Sequence, residues 1–171
     1  MTTTSMPTPA AATPSERRRA GKYLTFFLAG EEYALEILAV NEIIGVQPIT
    51  RVPRTPPYIR GVINLRGKVI SIADLRAKFG LEPAATPETV IIVVQVHGVP
   101  MGVLVDRVSE VVSIAEGDVE ETPSFGADVE TDYLLGIGKV NGRVRLLLDI
   151  ERVLSTQDIV QMPSVSELQL D

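Results

Sequence analysis

The chain of 171 residues contains no cysteine, no tryptophan and a single histidine. Without cysteine there is no disulfide, no thiolate nucleophile and no sulfur-ligated metal site, which fits a reducing compartment. Aromatic residues make up 5% of the chain, against 45% hydrophobic overall. Val, Ile and Leu must therefore fill the interior, and few rings remain for stacking on bases. Positive charge is short as well. The net charge is −6, whereas non-specific nucleic-acid binding draws most of its energy from Lys and Arg against phosphates. No nucleic-acid partner is expected. No run of about 18 apolar residues is present to cross a membrane, and the N-terminus lacks the apolar stretch of a secretory signal. The expectation is a soluble, cytoplasmic protein of one domain or two small ones, with no direct membrane insertion.

What is present divides into three parts. Residues 1–21, "MTTTSMPTPAAATPSERRRAG", are dominated by Thr, Pro, Ala and Ser. Such a stretch cannot bury enough surface to offset its ordering entropy, so it reads as a disordered tail with Arg17, Arg18 and Arg19 solvated. Residues 22–154 carry the apolar pattern of a folded unit. Residues 155–171 suit a short amphipathic helix or tail, interrupted by Pro163.

Within the folded unit, "YLTFFLAGEEYALEI" is two apolar runs around a Gly-containing turn, a hairpin signal. "ILAVNEII" places apolar residues at 37, 40, 43 and 44, which suits a helical turn. "QPITRVPRTPPYIRG" holds four prolines and reads as an irregular connection or an edge. "GVINLRGKVISIAD" is a second hairpin, and Asp74 before "LRAKFG" reads as the N-cap of a short helix ended by Gly80. "VIIVVQV" is a buried strand that turns at His97-Gly98 into "MGVLV". "AEGDVEETPSFGADVETD" is an acidic loop. The Asn141-Gly142 pair between apolar runs marks a further tight hairpin.

The pattern repeats. Tyr58–Phe79 superposes on Tyr133–Leu154 with a shift of 75, matching Gly61 to Gly136, Gly67 to Gly142 and Asp74 to Asp149. Tyr23–Ile44 superposes on Ile91–Val112 with a shift of 68, matching Gly30 to Gly98, Val40 to Val108 and Glu42 to Glu110. Two similar β-modules in tandem follow, over roughly residues 22–88 and 89–154. Four or five short strands each suit a small closed barrel better than an open sheet with exposed edges. The repeat also isolates one residue. At the tip of its hairpin the second module carries Asn141, an easy choice for a tight turn, where the first carries Arg66.

Catalytic patterns are missing. Gly61 to Val69 has a superficial likeness to a phosphate-binding loop, but it has one residue too many, Val in place of Ser or Thr, and a strand after it. His97 beside Gly98 reads as a surface turn residue. Asp118, Glu120 and Glu121 lack the spacing of a calcium loop. Asp74 and Asp149 read as caps rather than paired carboxylates. No nucleophile–base pair is visible, so a binding protein is favoured over an enzyme with its site between the barrels or a nucleic-acid-binding barrel.

"FFLAGEEYALEI", "VNEII", "TRVPRTPPYIRGVINLRGKVISIADLRAKFG" and "GVLVDRVSEVV" together resemble the CheW family of chemotaxis coupling proteins. The resemblance runs from about Tyr23 to Leu154. It implies a mainly β fold of two tandem five-stranded SH3-like β-barrels with short helices, sharing a hydrophobic interface. It implies a non-catalytic adaptor, without metal or cofactor. Such an adaptor links the cytoplasmic tip of chemoreceptors to the regulatory domain of the histidine kinase CheA, in arrays beneath the inner membrane. Other CheW copies in array rings are a further partner, and a paralogous coupler of a pilus or surface-sensing array is the alternative role.

Carried over by position, the resemblance implies a receptor-binding set of Glu42, Ile43, Gly61, Arg66, Met101 and Gly102. It implies a kinase-binding set of Leu24, Ile37, Val40 and Val52. Each has a structural alternative. Leu24, Ile37, Val40 and Val52 can be core residues, Glu42 can be a solvated charge or a structural salt-bridge partner of Arg66, and Gly61 can serve a turn or bulge as its match Gly136 would.

Overall fold

The computed structural model describes residues 20–82, 86–122 and 132–154. Most of the 1–21 tail, the 155–171 segment and much of the acidic loop lie outside the described residues. Eleven strands appear in chain order: β1 (Gly21–Leu28), β2 (Glu31–Glu36), β3 (Val40–Gly45), β4 (Ile59–Leu65), β5 (Lys68–Asp74), β6 (Val90–Val96), β7 (Val99–Val105), β8 (Arg107–Ile114), β9 (Val119–Glu120), β10 (Leu134–Val140) and β11 (Arg143–Leu148). Two one-turn helices, α1 (Leu75–Lys78) and α2 (Ile150–Val153), follow β5 and β11.

The Asp caps form as their positions predict. Asp74 accepts from the Arg76 amide and Asp149 from the Glu151 amide. The helical turn over "ILAVNEII" is corrected. Only Ile37–Ala39 form a 3-10 turn, and Val40 onward is strand β3. The β-branched Val40, Ile43 and Ile44 favour the extended chain. The acidic loop likewise begins with a 3-10 turn at Glu116–Asp118 and the short strand β9.

The strands make two sheets, in the orders β8-β1-β2-β11-β10-β9 and β3-β6-β7-β5-β4. The mainly β, two-module reading stands, with three adjustments. Neither sheet closes on itself among the described residues. One has six strands, because β9 adds a two-residue edge against Ile137 and Gly138. Its counterpart in the other sheet is the single bridge of Thr50 to Val62. Finally, a division at residues 88/89 does not separate the sheets. The first sheet joins the β1–β2 hairpin to β8–β11, and the second joins the β6–β7 hairpin to β3–β5. The two halves exchange their first hairpins.

The exchange keeps the symmetry of the repeat. Tyr33 pairs with Leu146 across β2 and β11, and their counterparts Met101 and Ser71 pair across β7 and β5. Both β4 and β10 carry an irregularity just before their matched glycines, Gly61 and Gly136.

Alternation along the strands sorts side chains into three cores. On β6, Ile92, Val94 and Val96 face a shared core, while Ile91 and Val93 face a smaller core with Ile63, Ile70, Ile72 and Leu104. This strand is buried on both faces, which is why it reads as an unbroken apolar run. On β1, Leu24, Phe26 and Leu28 enter the shared core, and Tyr23 joins Ala34, Ile114, Leu135 and Leu147 in the third. The shared core holds eighteen buried residues drawn from both sheets. Phe26, Tyr33 and Phe79 stack in succession with ring centroids 6.0 and 5.9 Å apart, and Tyr133 lies tilted against Phe79 at 5.2 Å. Half of the few aromatic residues thus serve one inter-sheet column. Burial, then the nearby Tyr133 and Glu31, pushes the Tyr33 phenol above its ordinary pKa.

Candidate docking surfaces

The groove between β3 and the β4–β5 hairpin is set by local chain chemistry. Arg66 and Gly67 occupy a tight hairpin turn, with φ of 51° and 88°. The Gly67 amide donates to the Asn64 side-chain oxygen at 2.8 Å, fixing the turn. Arg66 is thereby held across from β3, where it donates to the carboxylate of Glu42. The side chains are 68% and 32% exposed. Its hydrogen bond to Glu42, with the attraction between the two charges, raises the Arg66 pKa further above its ordinary value. The groove beside them has a volume of about 260 Å3 and includes Leu65, Lys68, Gln95 and Pro100 in its lining. Ile43, next to Glu42, is 44% exposed.

The other three members of this set lie beneath the surface. Met101 is fully buried in the shared core. Gly102 is packed so closely that an added Cβ would lie 2.6 Å from Ile72 Cδ1 and 2.7 Å from Ile91 Cγ2. At Gly61, with φ of 140°, a Cβ would lie 2.0 Å from the Thr50 carbonyl oxygen. These three shape the sheet under the groove and offer it no exposed side chain.

The second set is also dispersed. Leu24 is 3% exposed and sits in the shared core, which is its structural alternative. Ile37 and Val40 are partly buried and pack on that core from the 3-10 turn and the start of β3. Between them Leu38 is 94% exposed. It was not singled out by sequence, although residue 38 faces away from a turn whose inward positions are 37 and 40. Leu38 forms the edge of a groove with Lys22, Glu36 and Ile37. Val52 lies elsewhere, in a cleft of the β3–β4 link.

Two ionic clusters went unread in the sequence. Asp74 accepts from Arg60 at 2.9 Å and from Arg76 at 2.9 Å, and Arg76 reaches Asp106 at 3.0 Å. Asp106 also accepts from the Ala29 amide in the β1–β2 turn at 2.7 Å, so the chain of contacts crosses between the sheets. Burial pushes Asp74 up, but the hydrogen bonds and charges of Arg76 and Arg60 outweigh it and hold the carboxyl below its ordinary pKa. In the other sheet Glu32 pairs with Arg143 and Arg145, and Arg145 reaches Glu110, the match of Glu42. The clue was Arg145 at an inward position of "RVRLLL". Among the described residues no group of three or more His, Asp or Glu could hold a metal ion.

Two interleaved β-modules with open polar and apolar grooves define a protein-docking module. The model of the CheW-like domain matches residues 22–158. Chemotaxis protein CheW of Klebsiella aerogenes is 38% identical over 147 residues, covering 85% of this chain and 89% of that protein. Chemotaxis protein CheW of Bacillus subtilis is 35% identical, covering 84% and 92%. The solved structure of the scaffolding protein TtCheW from Thermoanaerobacter tengcongensis superposes with a TM-score of 0.73 at 33% identity, covering 81% of this chain and 95% of that one. The chain belongs to the CheW-like family.

Proposed function

We propose that this protein is a non-catalytic adaptor that couples chemoreceptors to the histidine kinase CheA in chemotaxis. The observation that carries this reading is the exposed Glu42–Arg66 pair with Ile43 beside it, at the rim of an open groove in a CheW-like fold. Glu42, Ile43 and Arg66 meet the cytoplasmic tip of a receptor, and the buried Gly61, Met101 and Gly102 keep the sheet beneath them in shape. The guanidinium fork of Arg66 suits carboxylate and carbonyl acceptors on a receptor helix. Ile37 and Val40, with Leu38 projecting between them, form the apolar contact for the kinase regulatory domain. Val52 contributes from the β3–β4 link, and Leu24 supports the patch from below. The adaptor unit spans residues 22–154 and works in the cytoplasm at receptor arrays, with other CheW copies as further ring partners. The named relatives are chemotaxis proteins, so the pilus or surface-sensing alternative gains nothing from them.

Co-sedimentation with receptor-bearing membranes tests the reading. The cognate CheA is expected in the pellet only when this protein is added. Arg66→Ala is expected to remain folded and to lower the membrane-bound fraction of both proteins. Failure of the folded native chain to recruit kinase in cognate membranes would overturn the coupling role.

A further inference from the structure

One cleft carries positive charge that the ion pairs leave unbalanced. It lies in the link between β3 and β4, has a volume of about 330 Å3, and is walled by Arg51, Arg54 and Arg60. It shares no lining residue with the Glu42–Arg66 groove. Three guanidiniums on one cleft run against the chain's net charge of −6. Arg60 reaches Asp74 but is still 40% exposed. Arg51 and Arg54 are exposed and have no ion-pair or hydrogen-bond partner among the described residues. The acids that Arg60 and Arg76 use, Asp74 and Asp106, are already engaged.

The backbone singles out Arg54. Its φ is 65°, in the left-handed region. The other four non-glycine residues with positive φ are Ala29, Arg66, His97 and Asn141, and each precedes a glycine that also has positive φ, as tight hairpin turns require. Arg54 has no such neighbour. It follows Pro53 in a turn where the Thr55 hydroxyl donates to the Val52 carbonyl at 2.9 Å. A proline followed by a left-handed residue is the pattern of a type II turn, where Gly or Asn is the unstrained choice. A strained residue that lines a cleft is a reason to look for a ligand. Pro53, Pro56 and Pro57 restrict the backbone that carries the arginines, which lowers the ordering cost of binding.

We propose that this cleft is an oxyanion site that takes the carboxylates of an acidic segment on a protein partner. Guanidinium forks pair with carboxylates through two parallel hydrogen bonds. Half-buried Val52 in the same wall gives the methylenes of such a segment an apolar surface, which a free inorganic anion would not use. The cleft shares Val52 with the proposed kinase contact, but its test uses neither receptor nor kinase, so failure of the site and failure of the coupling role are read separately.

The isotope-labelled full chain is titrated at fixed ionic strength with acetylated, amidated tetraglutamate, with a tetraglutamine peptide, and with inorganic phosphate. Tetraglutamate is expected to give saturable shifts in the amides of Arg51, Arg54, Thr55 and Arg60, and tetraglutamine none. The Arg51→Gln/Arg54→Asn double variant is expected to bind about tenfold more weakly, the scale of two exposed charge contacts. Arg54→Gly alone separates charge from folding: it is expected to keep or raise the thermal midpoint, because glycine relieves the positive φ, while weakening tetraglutamate binding. Absence of saturable shifts, or equal affinity in the double variant, would overturn the site. Tighter binding of phosphate than of tetraglutamate at the same amides would overturn the assignment to a protein segment.

Discussion

At the scale of single residues, Asp74 shows how much one buried charge organises. Its side chain is 1% exposed, and it faces Arg76, which is 6% exposed, as well as the more open Arg60. Asp74→Asn keeps an acceptor for the helix cap but leaves Arg76 with one carboxylate instead of two. Removing one partner of a buried pair strands the other charge in a poor solvent, so a loss of about 3 kcal/mol is expected in urea unfolding at neutral pH. The sign of the pH dependence follows from the lowered folded-state pKa of Asp74. Its contribution is present above the unfolded carboxyl value and disappears as the pH falls through the folded one. The gap between native and Asp74→Asn midpoints should therefore narrow on going from about pH 7 to about pH 3. A constant gap would show that the variant fails through packing and not through charge. Sequence reasoning found Asp74 as a cap but missed this network. The cap is local, within two residues, whereas Asp106 and Ala29 join it only through the tertiary fold. The burial of Leu24, Met101 and Gly102 was not legible either: the resemblance alone put them in the contact sets, and on strands buried on both faces alternation does not separate inside from outside.

At the scale of elements, the β4–β5 hairpin carries the clearest conflict between local preference and surface chemistry. Its register from Val62 to Leu65 on β4 and from Lys68 to Ser71 on β5 is regular, and Gly67 meets the turn geometry without strain. Arg66 does not, since Asn is the easier residue at positive φ and is what Asn141 supplies in the matching turn. Arg66→Asn should therefore give a thermal midpoint equal to or above the native one, while receptor affinity falls by about fivefold, the scale of one lost exposed charge contact. Calorimetry on the pure protein and receptor co-sedimentation read the two effects separately. A drop in both would make the Glu42–Arg66 pair a structural brace. The hairpins themselves were readable, because glycine turns and apolar runs are local signals. The fate of "ILAVNEII" was not, because the 37, 40, 43, 44 spacing is helical, and the strand takes it only with a 3-10 turn before it and an irregularity between Val40 and Glu42. Pairing of Ile43 with Ile92 and Ile44 with Ile91 decided it for the strand.

At the scale of the whole molecule, the exchange of hairpins ties the two halves of the chain into one unit. The repeat was visible in the spacing of Gly61 and Gly136, Asp74 and Asp149, and Glu42 and Glu110. Which hairpin completes which sheet was not. The β1–β2 and β6–β7 hairpins have the same pattern, so either could lie against β5 or β11 and bury similar faces. The structure places β2 beside β11 and β7 beside β5, in parallel register, and fills the space between the sheets with a core drawn from both halves. A chain cut between residues 86 and 90 should therefore yield no folded half. The first fragment would hold β3, β4 and β5 without the β6–β7 pair that separates them, and its β1–β2 hairpin would have no sheet to join. A lone two-stranded hairpin is at best marginal in water. Each fragment alone should give a poorly dispersed amide spectrum, and mixing the two should restore the native spectrum with one cooperative unfolding transition. A first fragment that folded by itself would mean that β1–β2 can take the place of β6–β7. The exchange would then be one of two nearly equivalent arrangements instead of the bond that makes the Glu42–Arg66 groove and the Ile37–Ala39 turn parts of one folded unit.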